Sequence, residues 1–307
     1  MKGKYFLLLV IVFILGLTGF YVSSGGNIKN LLSTAGSKSN DDNVDLGELQ
    51  NFNAVCNENV SFYKNVLRDS VVEKRSLYLC RFSYMLQYDP KINMPLWVLE
   101  TLNIKNMVSF NLPDFSLTYD PNLPKIYQIN PEFYNHTNEY VPWHVASILD
   151  MYKSNPALSN ENLEKLNEIS FSQGFYTTNT IPVTKFAKKI LDQIDSRVPM
   201  AVQRSHMLWV VSGPLFFNGN NNGVYSVDNK KVFIPTHLFK FIYDFPKNKY
   251  IIFIVPNVNN DLCGDHCNIE DYISTYRILT TYSGIDFFSS ESPEKKNMFI
   301  NGGQLPF

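Results

Sequence analysis

An almost unbroken apolar run, Tyr5 to Val22, sets the first constraint on this chain. Lys2 and Lys4 precede it, and no further charge occurs until Lys29. As a helix the run would rise about 27 Å, enough to cross a hydrocarbon core. The lysines ahead of it predict a cytoplasmic N-terminus and an exported remainder. Two readings of residues 1–24 stay open: a retained transmembrane anchor, or a signal peptide with Val22-Ser23-Ser24 at its cleavage site. The anchor makes the protein single-pass with its domain outside the cytoplasm; the signal peptide makes it secreted. Residues 25–51 are rich in Ser, Gly, Asn and Asp, with the acidic stretch Asp41-Asp42-Asn43-Val44-Asp45. They carry too little apolar surface to offset ordering entropy and read as a flexible linker. Residues 52–307 are expected to form the folded domain.

The run has no counterpart elsewhere, which excludes a multi-pass membrane protein. Hydrophobic residues make up 45% of the 307 and charged residues 18%, so a large core is available and wholesale disorder is excluded. A net charge of −1 excludes a globally basic nucleic-acid binder but leaves room for a local basic face. The four cysteines, Cys56, Cys80, Cys263 and Cys267, suit disulfides in an exported chain, with Cys56–Cys80 a plausible closure. Cys263-Gly-Asp-His266-Cys267 could close on itself or hold a metal, although no fourth ligand at matching spacing lies nearby. Asn59-Val-Ser and Asn135-His-Thr are glycosylation sequons.

Leu77–Tyr88, a turn at Asp89-Pro90 and Pro95–Leu99 read as a hairpin. Residues 105–140 read as extended and loop-dominated. Helical spacing links Val145, Ile148, Leu149 and Tyr152, and again Leu163, Leu166 and Ile169. Phe171–Ile181 reads as a strand. The clearest helix follows: Val183, Phe186, Ala187, Ile190, Leu191 and Ile194 form one apolar face, with Pro182 at its start. Lys185, Lys188, Lys189, Asp192, Asp195 and Arg197 fall away from that face. Further on, Met207–Ser212 reads as a buried strand ended by Gly213-Pro214. A strand at Lys231–Ile234, a helix from Thr236 and a strand at Tyr250–Val255 follow. A last helix spans Ile269–Tyr282, capped by Gly284. Without a regular βαβ rhythm, the fold class is α+β: a mixed, mainly antiparallel central sheet flanked by helices, beside the N-terminal membrane helix.

Several segments in order resemble the DNA/RNA non-specific endonuclease family, whose fold carries a ββα-metal (His-Me finger) site. Leu79-Cys-Arg81 through Tyr88-Asp89-Pro90 and Pro95-Leu-Trp97-Val98 resemble its opening hairpin. Phe175-Tyr-Thr-Thr-Asn179-Thr-Ile-Pro182 resembles the strand entering the site helix. Trp209-Val-Val-Ser-Gly213-Pro214-Leu-Phe216, Val232-Phe-Ile-Pro235-Thr236-His237-Leu-Phe239-Lys240 and Ile251–Ile254 with Val255-Pro256-Asn257 follow in register. Tyr272 and Tyr282-Ser-Gly284-Ile285-Asp286-Phe287-Phe288 are similar to the closing helix and turn. The resemblance spans residues 56–289.

It implies phosphodiester hydrolysis of DNA or RNA without strong sequence preference. A His takes the proton from water, and a divalent cation, expected to be Mg, neutralises the scissile phosphate. His144 occupies the base position. Lys185, Lys188, Lys189 and Arg197 become the nucleic-acid-binding candidates, and Asp192 and Asp195 the metal candidates. Two departures stand out. The family's Asp-Arg-Gly-His run aligns with Val141-Pro142-Trp143-His144, which keeps only the His. The helix Asn that holds the cation in the family has its slot at Ala187 or Lys188, and no Asn or Gln occurs in 183–192. Lys188 or Lys185 could supply positive charge in its place, as a point charge; Asn179 reads instead as fixing the turn before Pro182. The alternative to an enzyme is a catalytically inactive nuclease-fold module that binds nucleic acid or a protein partner at the membrane.

Overall fold

A computed structural model describes residues 76–104, 115–151, 160–217, 221–227, 230–259, 268–287 and 303–307. All of them lie in one compact unit. The expected membrane helix, the linker, the sequon at Asn59 and three of the four cysteines lie outside these residues, whereas the sequon at Asn135 lies within them. Among the described residues no helix is long and apolar enough to cross a membrane. Cys80 is disulfide-bonded, with its pairing outside the described residues.

The strands are β1 (Leu77–Cys80), β2 (Tyr84–Asp89), β3 (Met94–Asn103), β4 (Tyr140–His144), β5 (Thr180–Thr184), β6 (Met207–Leu215), β7 (Gly223–Val227), β8 (Lys230–Ile234), β9 (His237–Asp244), β10 (Lys249–Pro256) and β11 (Gly303–Gln304). The helices are α1 (Phe133–His136), α2 (Asn160–Gly174), α3 (Lys185–Ser205) and α4 (Tyr276–Ser283). A seven-stranded sheet runs β1-β2-β3-β6-β9-β10-β11, antiparallel except for the short β10–β11 pairing. Two separate ribbons, β4-β5 and β7-β8, complete the α+β architecture.

The central strands bury both faces, so alternate residues enter different cores. Val210, Leu238, Ile242, Ile251 and Phe253 face the core completed by Ile190, Ile194 and Val198 of α3. Val211, Phe239, Phe241, Tyr243 and Ile252 face the opposite core, closed by Tyr276 and Leu279 of α4 and by Phe287. Lys240 shares the α3-facing side of β9 with Leu238 and Ile242. Its ammonium is fully buried and ion-paired with Asp195 of α3. Burial opposes that charge, but Asp195, Glu100 and Asp150 outweigh it and hold Lys240 protonated. The pair fixes the helix register against the sheet.

Five sequence expectations are corrected. Phe171–Gly174 belongs to α2, and a strand begins only at Thr180. Ser170 of that helix is buried and donates to the Met151 carbonyl at 2.6 Å, so a partly polar face anchors it. The helix expected from Pro182 starts at Lys185 instead, because the Thr184 hydroxyl caps it by accepting from the Ala187 N–H at 3.1 Å. Strand β6 runs through Gly213-Pro214 rather than ending there. A Cβ on Gly213 would lie 2.6 Å from the Leu96 carbonyl oxygen, so the glycine serves close strand approach. The segment from Thr236 is strand β9, not a helix. Its apolar residues are buried on both faces and carry no strand-like alternation to identify it. The last helix is shorter than expected, but Gly284 does cap it, with φ of 68°.

Replacing Lys240 with Met leaves the Asp195 carboxylate buried without its partner. Urea denaturation should show a stability loss of about 3–5 kcal/mol with an unchanged slope. A loss near the 0–1 kcal/mol of a surface pair would contradict the anchoring role.

Candidate active site

Strands β4 and β5 pair antiparallel with His144 opposite Thr180, Trp143 opposite Ile181 and Pro142 opposite Pro182. Two prolines can face each other only where antiparallel partners exchange no hydrogen bonds, since neither has an N–H to give. His144 lies two residues along, on the same side of the ribbon. The neighbouring bonded position is Val145, whose N–H donates to the Asn179 carbonyl at 2.9 Å. Helix α3 follows β5 directly and packs against both strands. The unit is therefore β-β-α, with His144 at the end of its first strand.

Alternation along β4 separates the last two residues. Trp143 is buried in the core, where the Lys240 ammonium sits 5.9 Å from its ring centroid. His144 points the other way and stays partly exposed. The Trp ring in the family's Gly position therefore fills the core beneath the site rather than the space around the imidazole.

His144 Nδ1 lies 3.1 Å from the Gly174 carbonyl oxygen. A carbonyl only accepts, so Nδ1 carries the proton and Nε2 keeps its lone pair. The Phe175 ring meets the imidazole edge-on at 4.9 Å between centroids. Burial pushes the His144 pKa down to about 4; the Gly174 bond opposes the shift and the nearby Lys188 charge adds to it. The ring is thus neutral at physiological pH, in a tautomer able to accept a proton.

Asn179 builds this arrangement. It is fully buried, and its Nδ2 donates to the Gly174 carbonyl at 2.9 Å and the Ala146 carbonyl at 3.0 Å. Its Oδ1 accepts from the Ala146 N–H at 2.8 Å. The carbonyl that fixes the imidazole is therefore itself fixed by Asn179. A Cβ on Gly174 would lie 2.9 Å from Ile148 Cδ1 and 3.1 Å from Met151 Cγ, so these side chains would have to shift to admit a larger residue. Asn257, at the end of β10, ties the unit to the sheet. Its Oδ1 accepts from the Thr184 N–H at 2.8 Å, and its Nδ2 donates to the Pro182 and Pro235 carbonyls at 3.2 and 3.0 Å. On the other flank Arg81 is ion-paired with Asp120, which also accepts from the Thr178 hydroxyl at 2.7 Å. The sequence reading missed Gly174 and the Asp120 tie. A glycine closing a helical stretch was the available signal for the first; the second pairs residues too distant in sequence to show.

The remaining site candidates all lie on α3. Lys188 donates to both carboxylate oxygens of Asp192, at 2.5 and 2.7 Å, with its side chain 29% exposed. Lys185 and Lys189 are exposed. Arg197 is held 3.1 Å from Glu270, away from His144's end of the helix. Asp195 faces inward to Lys240. A divalent cation of the kind the resemblance implies needs oxygen donors facing His144. Here Asp192 is bound to Lys188, Asp195 to Lys240, and every polar atom of the Asn179 side chain is engaged. Among the described residues no group of three or more His, Cys, Asp or Glu could hold a metal ion. These donors do not fit a cation held in the family's manner.

Asn179→Ala removes three buried hydrogen bonds and leaves the Gly174 carbonyl held by His144 alone. The expected loss is about 2–4 kcal/mol, read by urea denaturation, with faster hydrogen exchange at the Val145 and Ala146 amides. Unchanged protection at those amides would show that the loop after His144 is held by other contacts.

The family profile of the DNA/RNA non-specific endonucleases matches residues 65–294, well over half of the chain. No curated relative matches it. The matched span contains the whole β4-β5-α3 unit, His144 and the seven-stranded sheet up to β10. The chain belongs to the DNA/RNA non-specific endonuclease family.

Proposed function

We propose that this protein hydrolyses phosphodiester bonds in DNA or RNA without reading base sequence, with His144 as general base. One observation carries the reading. The Gly174 carbonyl accepts a hydrogen bond from Nδ1–H and so leaves the lone pair on Nε2, at a partly exposed position. A nuclease base needs that state, since an imidazole already protonated cannot take the proton of an attacking water. Lys185, Lys188 and Lys189 on the adjoining helix supply positive charge for the phosphate backbone. Contacts of that kind bind and position a strand but carry no sequence information. In this reading the domain is exported, anchored through residues 5–22 or secreted after cleavage, a location that the Cys80 disulfide supports.

The full-length protein should nick plasmid DNA and degrade RNA. His144→Ala should lower the rate by about 10²–10⁴-fold, the usual contribution of a positioned general base. The acid limb of kcat/KM should fall near pH 4, where His144 protonates, leaving activity level from about pH 5 to 8. The same shift lowers stability in acid. The unfolded chain binds the proton near pH 6.5 and the folded one only near 4, so stability is lost as pH falls between these values. Intact nucleic acid under conditions where a control nuclease digests it would refute the reading. Salt-sensitive binding without cleavage would favour the inactive module instead.

A further inference from the structure

Resting on that nuclease reading, we infer that Lys188 takes the place of the metal ion, so that the site cleaves phosphodiesters without a divalent cation and Asp192 holds the lysine in reserve. Three observations converge. The candidate oxygen donors on α3 and in the turn before β5 are committed elsewhere: Asp192 to Lys188, Asp195 to Lys240, and Asn179 to Gly174 and Ala146. Lys188 sits one turn into the helix that follows β5, on an element packed against the strand that ends in His144. Its side chain is only partly exposed and its charge is felt at the imidazole.

The chemistry balances with these groups alone. The water oxygen forms a bond to phosphorus while His144 Nε2 takes one of its protons. The bond from phosphorus to the leaving oxygen breaks, and that oxygen takes a proton from solvent. Lys188 keeps its own protons and places its ammonium against the non-bridging oxygens, where negative charge accumulates. The imidazolium then returns its proton to solvent. The lysine neutralises charge, but unlike a metal ion it does not acidify water. Deprotonation therefore rests on His144 alone.

Asp192 competes with the substrate for that ammonium. The pair is a half-exposed i, i+4 contact, so a phosphodiester can displace the carboxylate. Binding then exchanges one carboxylate for one phosphate at the same lysine.

The test measures cleavage of plasmid and binding of a short labelled oligonucleotide by the full-length protein, in excess EDTA and with added Mg²⁺ or Mn²⁺. The wild type should cleave equally in both media. Lys188→Met should lose at least about a hundredfold in EDTA and bind the oligonucleotide with a salt slope smaller by about one. Asp192→Asn should bind more tightly. Lys188→Asn, which restores an oxygen donor at that position, should cleave only when Mn²⁺ is present and should bind Mn²⁺ by calorimetry where the wild type does not. Wild-type cleavage abolished by EDTA and restored by Mg²⁺ would overturn the inference while leaving the nuclease reading intact. Lys188→Met cleaving like wild type in EDTA would also overturn it. Absence of cleavage in every protein and medium would instead bring down the nuclease reading, and this inference with it.

Discussion

The Gly174 carbonyl oxygen is the point on which the site depends. It accepts from His144 Nδ1 and from Asn179 Nδ2, and so joins the end of α2, the end of β4 and the turn before β5 at one atom. Each contact constrains the other two elements. The bond selects the imidazole tautomer and the orientation of its lone pair, while Asn179 stops the carbonyl from turning away. Burial beside Phe175 then keeps the ring neutral by penalising its charged form. In the proposed role the base is prepared by packing and two hydrogen bonds, with a backbone oxygen behind the imidazole.

The scaffold beneath works by a complementary rule. Strand alternation sends Trp143 inward and His144 outward, and Lys240 meets the Trp143 ring from below while pairing with Asp195 on α3. One buried ammonium thus relates the sheet, the helix and the strand that carries His144. Asn257 makes the corresponding connection at the β5 end through four buried hydrogen bonds, counting its own N–H to the Thr236 carbonyl. Polar contacts at these few positions fix the relative placement of elements that apolar packing alone leaves free to slide.

Much of this was legible in the residues. The apolar face of α3 follows from its spacing, and Phe186, Ala187, Ile190, Leu191 and Ile194 are all buried. The turn at Asp89-Pro90 and the cap at Gly284 follow from turn chemistry, whereas the single strand expected over Leu77–Tyr88 is two antiparallel strands, β1 and β2, folded back at residues 81–83. Strand β9 was not legible as a strand, because Leu238, Phe239, Phe241 and Ile242 fill cores on both faces and leave no period of two. The start of α3 was set by a threonine cap that outweighs the preference of proline for a helix's first turn. His144 stands out as a base candidate, but the group that orients its ring is a backbone oxygen thirty residues away in sequence, which carries no side-chain signature. The pairing of Lys188 with Asp192 is visible as an i, i+4 spacing; the inward turn of Asp195 toward Lys240 depends on the fold.

The most direct measurement is heteronuclear NMR of the His144 ring nitrogens through a pH titration. A proton on Nδ1, a bare Nε2 at neutral pH and a midpoint near 4 are expected, with the assignment secured by loss of the signals in His144→Ala. A ring that titrates near the ordinary value of about 6.5, or that carries its proton on Nε2, would contradict the positioned-base arrangement at its foundation.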